Sequence, residues 1–195
     1  NDIRISPSFK IQNSAIFADT NYKEHNMKED TLIPLEVLFG NPDRMLVKMN
    51  EKANYISYVA PLNGVLNVFV APYSDIKAAK AITSDTHRGI RSYTWASNNT
   101  HIIYAMDEKG DENFRLYSVN VSNLEAKLLT PLTKVKANII KTSKKFPDEI
   151  IVSTNQRNAE CFDLYRINIV NGKSELLFEN NDQYSSFTID EDFKL

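Results

Sequence analysis

Phe114-Arg115-Leu116-Tyr117-Ser118-Val119 is the stretch on which the fold turns. Its aromatic and aliphatic residues, bounded by polar turns, read as a β-strand. The same kind of strand stands at Asn67-Val68-Phe69-Val70 and at Phe162-Asp163-Leu164-Tyr165-Arg166-Ile167. Val68, Leu116 and Leu164 are spaced 48 and 48, and so are Phe69, Tyr117 and Tyr165. Further columns lie on either side. Ile56, Ile102 and Ile150 are spaced 46 and 48, and Ile82, Leu129 and Leu177 are spaced 47 and 48. Tyr55–Ala60, His101–Ala105 and Glu149–Ser153 supply a preceding strand in each repeat. Four short strands in roughly 40–50 residues make one propeller blade. The fold expected is therefore all-β, a partial propeller of about three four-stranded blades with the start of a fourth. An ordinary β-sandwich whose spacings agree by chance is the alternative.

The expected blades are 44–83, 90–130 and 136–178, with 184–195 opening the next. Before them, residues 1–33 read as a polar arm. Residues 34–43 read as a short helix and linker: Pro34 suits a first helical position, Gly40 follows the last apolar residue, and Pro42 lies beyond. A chain that stops inside a blade reads as a truncated propeller. Its open sheet edge would then favour self-association.

The 195 residues are 42% hydrophobic and 25% charged, the range of a globular domain with a real core. A net charge of −2 gives no footprint for nucleic acid or for an anionic membrane surface. No apolar run approaches the ~18 residues of a membrane-spanning helix. Cys161 is the only cysteine, so neither an internal disulfide nor a multi-cysteine zinc site can form. A single cysteine leans towards a reducing, cytoplasmic location. A periplasmic one stays open if a signal was removed before Asn1.

Several segments resemble the prolyl oligopeptidase family of serine peptidases, in particular the bacterial dipeptidyl aminopeptidase and acylaminoacyl peptidase type. Ile33-Pro34-Leu35-Glu36-Val37-Leu38-Phe39-Gly40-Asn41-Pro42-Asp43-Arg44 is similar to the lead into their propeller. Ala60–Val70 resembles the loop and strand of the first blade, Arg88–Ala96 the start of the second, and Asp107–Asn113 the acidic loop after it. The Ser-Pro-Asp-Gly turn common in such blades is replaced here by Asn50–Asn54 and by Ser97-Asn98-Asn99.

The resemblance implies an N-terminal, non-catalytic propeller that gates short peptides for a C-terminal α/β-hydrolase domain. That domain would hold a Ser-Asp-His triad on a G-x-S-x-G elbow. No G-x-S-x-G occurs in these residues, so no catalytic residue is assigned. A stand-alone interaction module, or an inactive remnant, is the alternative.

Blade topology sets Ser84–Arg91 beside Glu108–Asn113. Arg88 or Arg91 would suit a peptide carbonyl or carboxylate through a planar fork. Asp111 or Glu112 would suit a free amino terminus; solvated turns bridged by a weak ion pair are the plainer reading. No metal or cofactor is expected. Asp107–Asn113 lacks the ligand order of a calcium loop, and His25, His87 and His101 lack HExxH spacing. His87 reads as a solvated loop residue. His101 reads as a strand opener with its polar tip at the surface, Cys161 as a small buried hydrophobe, Trp95 as core, and Lys141–Lys145 as a solvated turn.

Overall fold

Apolar residues alternating along short strands have to be covered on both faces, and stacking one sheet on the next achieves this. The computed structural model describes residues 33–40, 43–131 and 134–195. The arm expected over residues 1–33 falls outside these, except at Ile33. Two units divide the chain, Asn1–Gly40 and Asn41–Leu195. Within the first, α1 (Leu35–Phe39) begins one residue after Pro34, whose carbonyl accepts from Val37 N–H at 3.0 Å. Proline lacks the N–H that a first turn leaves unused in any case.

The second unit holds three antiparallel four-stranded sheets, each a simple meander. Sheet one is β1 (Met45–Met49), β2 (Tyr55–Leu62), β3 (Val65–Pro72) and β4 (Lys80–Ala81). Sheet two is β5 (Tyr93–Trp95), β6 (His101–Met106), β7 (Arg115–Asn120) and β8 (Ala126–Leu128). Sheet three is β9 (Ala137–Thr142), β10 (Glu149–Asn158), β11 (Cys161–Asn168) and β12 (Ser174–Phe178). This is the partial propeller expected from the spacing. Val68, Leu116 and Leu164 are all essentially sealed from solvent, at 0%, 2% and 0% exposure.

The core consists of layers between sheets. Val59, Val68, Ile90 and Trp95 fill the space between sheets one and two. Ile103, Leu116, Ile150 and Ile167 fill that between two and three. Residues 184–195 contain no strand, but Ile189 and Phe193 cover the far face of sheet three, on Ile151 and Leu164. Asp190 Oδ1 shapes the turn there, accepting from Asp192 and Lys194 N–H at 2.8 Å each.

Two expectations need correction. Leu177 was aligned with the buried Ile82 and Leu129, yet it is exposed. A register shift between Leu164 and Tyr165 places Phe178 opposite Leu164 instead. Such an irregularity moves each side chain to the other face. His101 is buried rather than surface-tipped, and its ring nitrogen lies 3.0 Å from Asn98 Nδ2.

Trp95 is core, and it anchors a polar network absent from the sequence reading. Its Nε1 donates to Ser57 Oγ at 2.8 Å, Ser57 Oγ lies 2.9 Å from Tyr93 Oη, and Tyr93 Oη donates to the Leu46 carbonyl at 2.7 Å. Leu46 sits at φ 53° within a bulge of β1, which turns that carbonyl towards sheet two.

Candidate functional site

A four-strand meander puts the turn between its second and third strands at the same end as the connection to the next blade. Residues 82–92 and 107–114 therefore meet at one end of sheets one and two. Arg88 Nη1 lies 3.6 Å from Asp107 Oδ2, and Arg88 packs over Gly110 so closely that a Cβ there would stand 2.5 Å from Nη1. The expected side-by-side placement is thus made by Arg88. Arg91 and Glu112 are exposed, and neither side chain forms a hydrogen bond or ion pair among the described residues.

Asp111 is engaged in shaping its own loop. Oδ1 accepts from Glu108 and Asn113 N–H at 3.1 Å each, and Oδ2 meets Arg115 Nη2 at 2.9 Å. Desolvation alone would raise its pKa. The Asn113 backbone and side-chain N–H groups, the Glu108 N–H and the Arg115 charge outweigh it and bring the pKa to about 2. A pKa below the ordinary 3.8 means that the loop gains from the ionised carboxylate above that pH and loses the gain as pH falls through about 2. A carboxyl titration followed by NMR should find Asp111 still ionised near pH 3. A midpoint at or above 3.8 would contradict this arrangement.

The 83–90 connection is held from below by Asn67, which is fully buried. Asn67 Oδ1 accepts from Thr83 Oγ1 at 2.9 Å and Asp85 N–H at 2.7 Å, and its Nδ2 donates to the Asp85 carbonyl at 2.9 Å. Asp85 passes the order on, its carboxylate accepting from His87 N–H at 3.2 Å and Gly89 N–H at 2.5 Å.

Asn67 belongs to a column that sequence reasoning missed. Arg115 and Asp163 stand 48 and 96 residues later and are also buried. Each faces the hairpin partner just before the turn: Ala60, Met106 and Thr154. Arg115 grips Asp111, with Glu108 Oε2 at 3.8 Å. Asp163 takes a two-pronged bond from Arg157, Nε at 2.7 Å and Nη2 at 2.8 Å, and accepts from Asn180 N–H at 2.8 Å. The Arg157 bond, aided by Asn180 and opposed by burial, holds the Asp163 pKa below the usual carboxylate value. The one common mark in the sequence is a polar residue immediately before Val68, Leu116 and Leu164.

Among the described residues, no group of three or more His, Cys, Asp or Glu side chains is placed to hold a metal ion. Cys161 is buried, with Asn158 Nδ2 3.8 Å from its sulfur.

No protein-family model matches the chain. Dipeptidyl aminopeptidase BIII of Pseudoxanthomonas mexicana is 40% identical over 164 residues, covering 84% of this chain and 24% of that protein. Dipeptidyl peptidase family member 6 of Caenorhabditis elegans is 28% identical over 172 residues, covering 84% of this chain and 23% of that protein. The chain thus spans about a quarter of the length of these relatives. Among solved structures, the β-propeller domain of the trilobed protease of Pyrococcus furiosus superposes with a TM-score of 0.52. It is 18% identical, with 70% of this chain and 44% of that one covered, so it supports the fold alone. The repeat, the three meander sheets and the relatives agree that this chain is a β-propeller portion of the prolyl oligopeptidase family of serine peptidases.

Proposed function

We propose that this propeller gates and positions short peptides for a C-terminal α/β-hydrolase domain on the same polypeptide. The carrying observation is the 40% identity to a dipeptidyl aminopeptidase over 84% of the chain, a span that includes no catalytic motif. A propeller without a nucleophile acts on a peptidase by exclusion and by gripping peptide ends, and charged groups at one end of the blades suit the second task. Of the four charges first considered, Arg88 and Asp111 are committed to Asp107 and Arg115 and act as framework. Arg91 and Glu112 are exposed and uncommitted, and these two make the contacts: Arg91 to a carbonyl or carboxylate, Glu112 to an amino terminus.

The test is made on the native polypeptide that carries this propeller, with a chromogenic dipeptide substrate and a serine-directed inhibitor. Inhibitor-sensitive hydrolysis is expected. Arg91→Ala and Glu112→Ala should each raise KM about tenfold, with kcat within about twofold, the signature of lost binding that is uniform between ground and transition states. Absence of hydrolysis by the native polypeptide would replace this reading with that of an interaction module. Unchanged kinetics in both variants would remove these two residues from the peptide path.

A further inference from the structure

His101 is buried at the junction between sheets two and three, at the opposite end from the candidate site. Its neighbour Asn98 has every polar atom of its side chain engaged. Asn98 Oδ1 accepts from Thr100 N–H at 3.0 Å and from His101 N–H at 3.1 Å. Asn98 Nδ2 donates to Asp148 Oδ1 at 2.8 Å and faces His101 Nδ1 at 3.0 Å. The backbone follows the same path: Asn98 N–H donates to the Pro147 carbonyl at 3.1 Å, and Ile169 N–H to the Asp148 carbonyl at 2.9 Å. Asn98 is therefore the joint by which the 97–100 turn of sheet two holds the 146–148 turn of sheet three.

This joint requires a lone pair on His101 Nδ1, because an amide N–H points at it. A proton on Nδ1 would set N–H against N–H. Flipping the Asn98 amide gives no relief, since its NH2 would then face the N–H groups of Thr100 and His101, and its oxygen would face Asp148. Thr100 Oγ1, also 3.0 Å from Nδ1, can accept the new proton, yet the Asn98 amide still points at the same nitrogen. We propose that His101 and Asn98 form a proton-operated latch between sheets two and three, closed while the imidazole is neutral and released when Nδ1 takes up a proton. Release costs the Asn98–Asp148 bond and loosens the Asn98–Pro147 and Ile169–Asp148 pairs behind it.

Three charged groups stand near the ring. Asp148 on the turn of sheet three and Glu125 ahead of β8 favour a charged imidazole. Lys127 on β8 lines the same small cavity, of about 170 Å³. Burial outweighs the two carboxylates, so the ring titrates below the ordinary 6.5. The sign follows. The unfolded chain binds this proton more readily, so the contribution to stability is complete above about pH 6.5 and is lost as pH falls towards the folded value.

Hydrogen exchange read by mass spectrometry tests the latch in the full polypeptide. Exchange at the imidazole C2 position gives the His101 midpoint, expected below 6.5. Protection of the Asn98 and Ile169 amides, corrected for intrinsic rates, should fall between about pH 7.5 and about pH 5. The fall is about tenfold for each unit by which the fold lowers that midpoint. In His101→Gln the acid-dependent fall should shrink to under about twofold. Undiminished protection in the parent, or the same fall in His101→Gln, would overturn the proposal. If His101→Gln does not fold, Asn98→Asp replaces it. A carboxylate oxygen facing Nδ1 accepts the proton, so the His101 midpoint must rise above the parent's, and a midpoint unmoved or lowered overturns the latch.

Discussion

Replacing Arg157 by alanine is expected to lower the urea midpoint of unfolding near neutral pH, because it breaks a pair whose carboxylate is buried. The loss is moderated because Arg157 is itself a third exposed, so water can enter its place. Asp163 has no such relief: its side chain is fully buried, and without Arg157 its one other donor among the described residues is the Asn180 N–H. A buried carboxylate in that position either stays ionised without its cation or takes up a proton, and both are unfavourable. Arg157→Lys should recover only part of the loss, because an ammonium cannot reproduce the two-pronged bond made by Nε and Nη2. The double variant Arg157→Met with Asp163→Leu should stand closer to the parent than Arg157→Ala does, since no charge is then stranded. The pH dependence has a definite sign. Asp163 titrates below 3.8 in the parent, so the pair's contribution is complete above that value and is lost as pH falls through the folded pKa. Without Arg157 the carboxyl titrates higher, and the deficit of Arg157→Ala should shrink on going from about pH 7 to about pH 4. Urea melts at the two pH values measure both effects. A urea midpoint at neutral pH equal to the parent's would mean that the pair behaves as a surface ion pair.

What the sequence disclosed and what it hid follow from the range of the forces involved. The 48-residue interval was visible because every blade buries the same strand position, and burial selects apolar residues wherever it occurs. Val68, Leu116 and Leu164 needed no knowledge of their neighbours to be recognised as core. Leu177 was misplaced because the interval continues undisturbed through a register shift that only the pairing of β11 with β12 reveals. The buried column of Asn67, Arg115 and Asp163 was hidden differently. Its members share no residue type, and each orders loop segments at the same end of its blade by different chemistry: amide, guanidinium and carboxylate. At the candidate site, topology foretold that the 84–91 and 108–113 segments would meet. It did not foretell which charges would be spent. Arg88 and Asp111 looked equivalent to Arg91 and Glu112, and only distances separate framework from free groups. The burial of His101 escaped for the same reason, since Asp148, which Asn98 bonds beside the ring, lies 47 residues from it, in the next blade.

Gly89→Ala should cost about 3 kcal/mol, and the comparison with Gly64→Ala shows why. Both glycines have positive φ, +82° and +84°, where an L side chain meets its own backbone at about 1–2 kcal/mol. Gly64 turns between β2 and β3 with nothing within 4 Å of a Cβ, so its alanine variant should show the backbone cost alone. At Gly89 a Cβ would stand 2.9 Å from Leu66 Cβ, 2.9 Å from Leu66 N and 3.0 Å from Leu66 O. Trimming Leu66 cannot relieve this, because two of the three atoms are backbone and Ile90 N–H is bonded to that same Leu66 carbonyl at 2.8 Å. The 84–91 connection must therefore lift. Lifting breaks the Gly89 N–H bond to Asp85 and draws Arg88 away from Asp107. Asparagine separates the two causes, since it tolerates positive φ but still carries a Cβ. Gly64→Asn should be nearly neutral and Gly89→Asn should remain costly. On the proposed role of Arg91, Gly89→Ala should also raise KM for a dipeptide substrate in the native polypeptide, because Arg91 rides on the displaced connection. Urea midpoints for the four variants decide the matter. Equal losses at Gly64 and Gly89 would mean that the contact with Leu66 yields without resistance, and that the connection carrying Arg88 and Arg91 is not fixed by it.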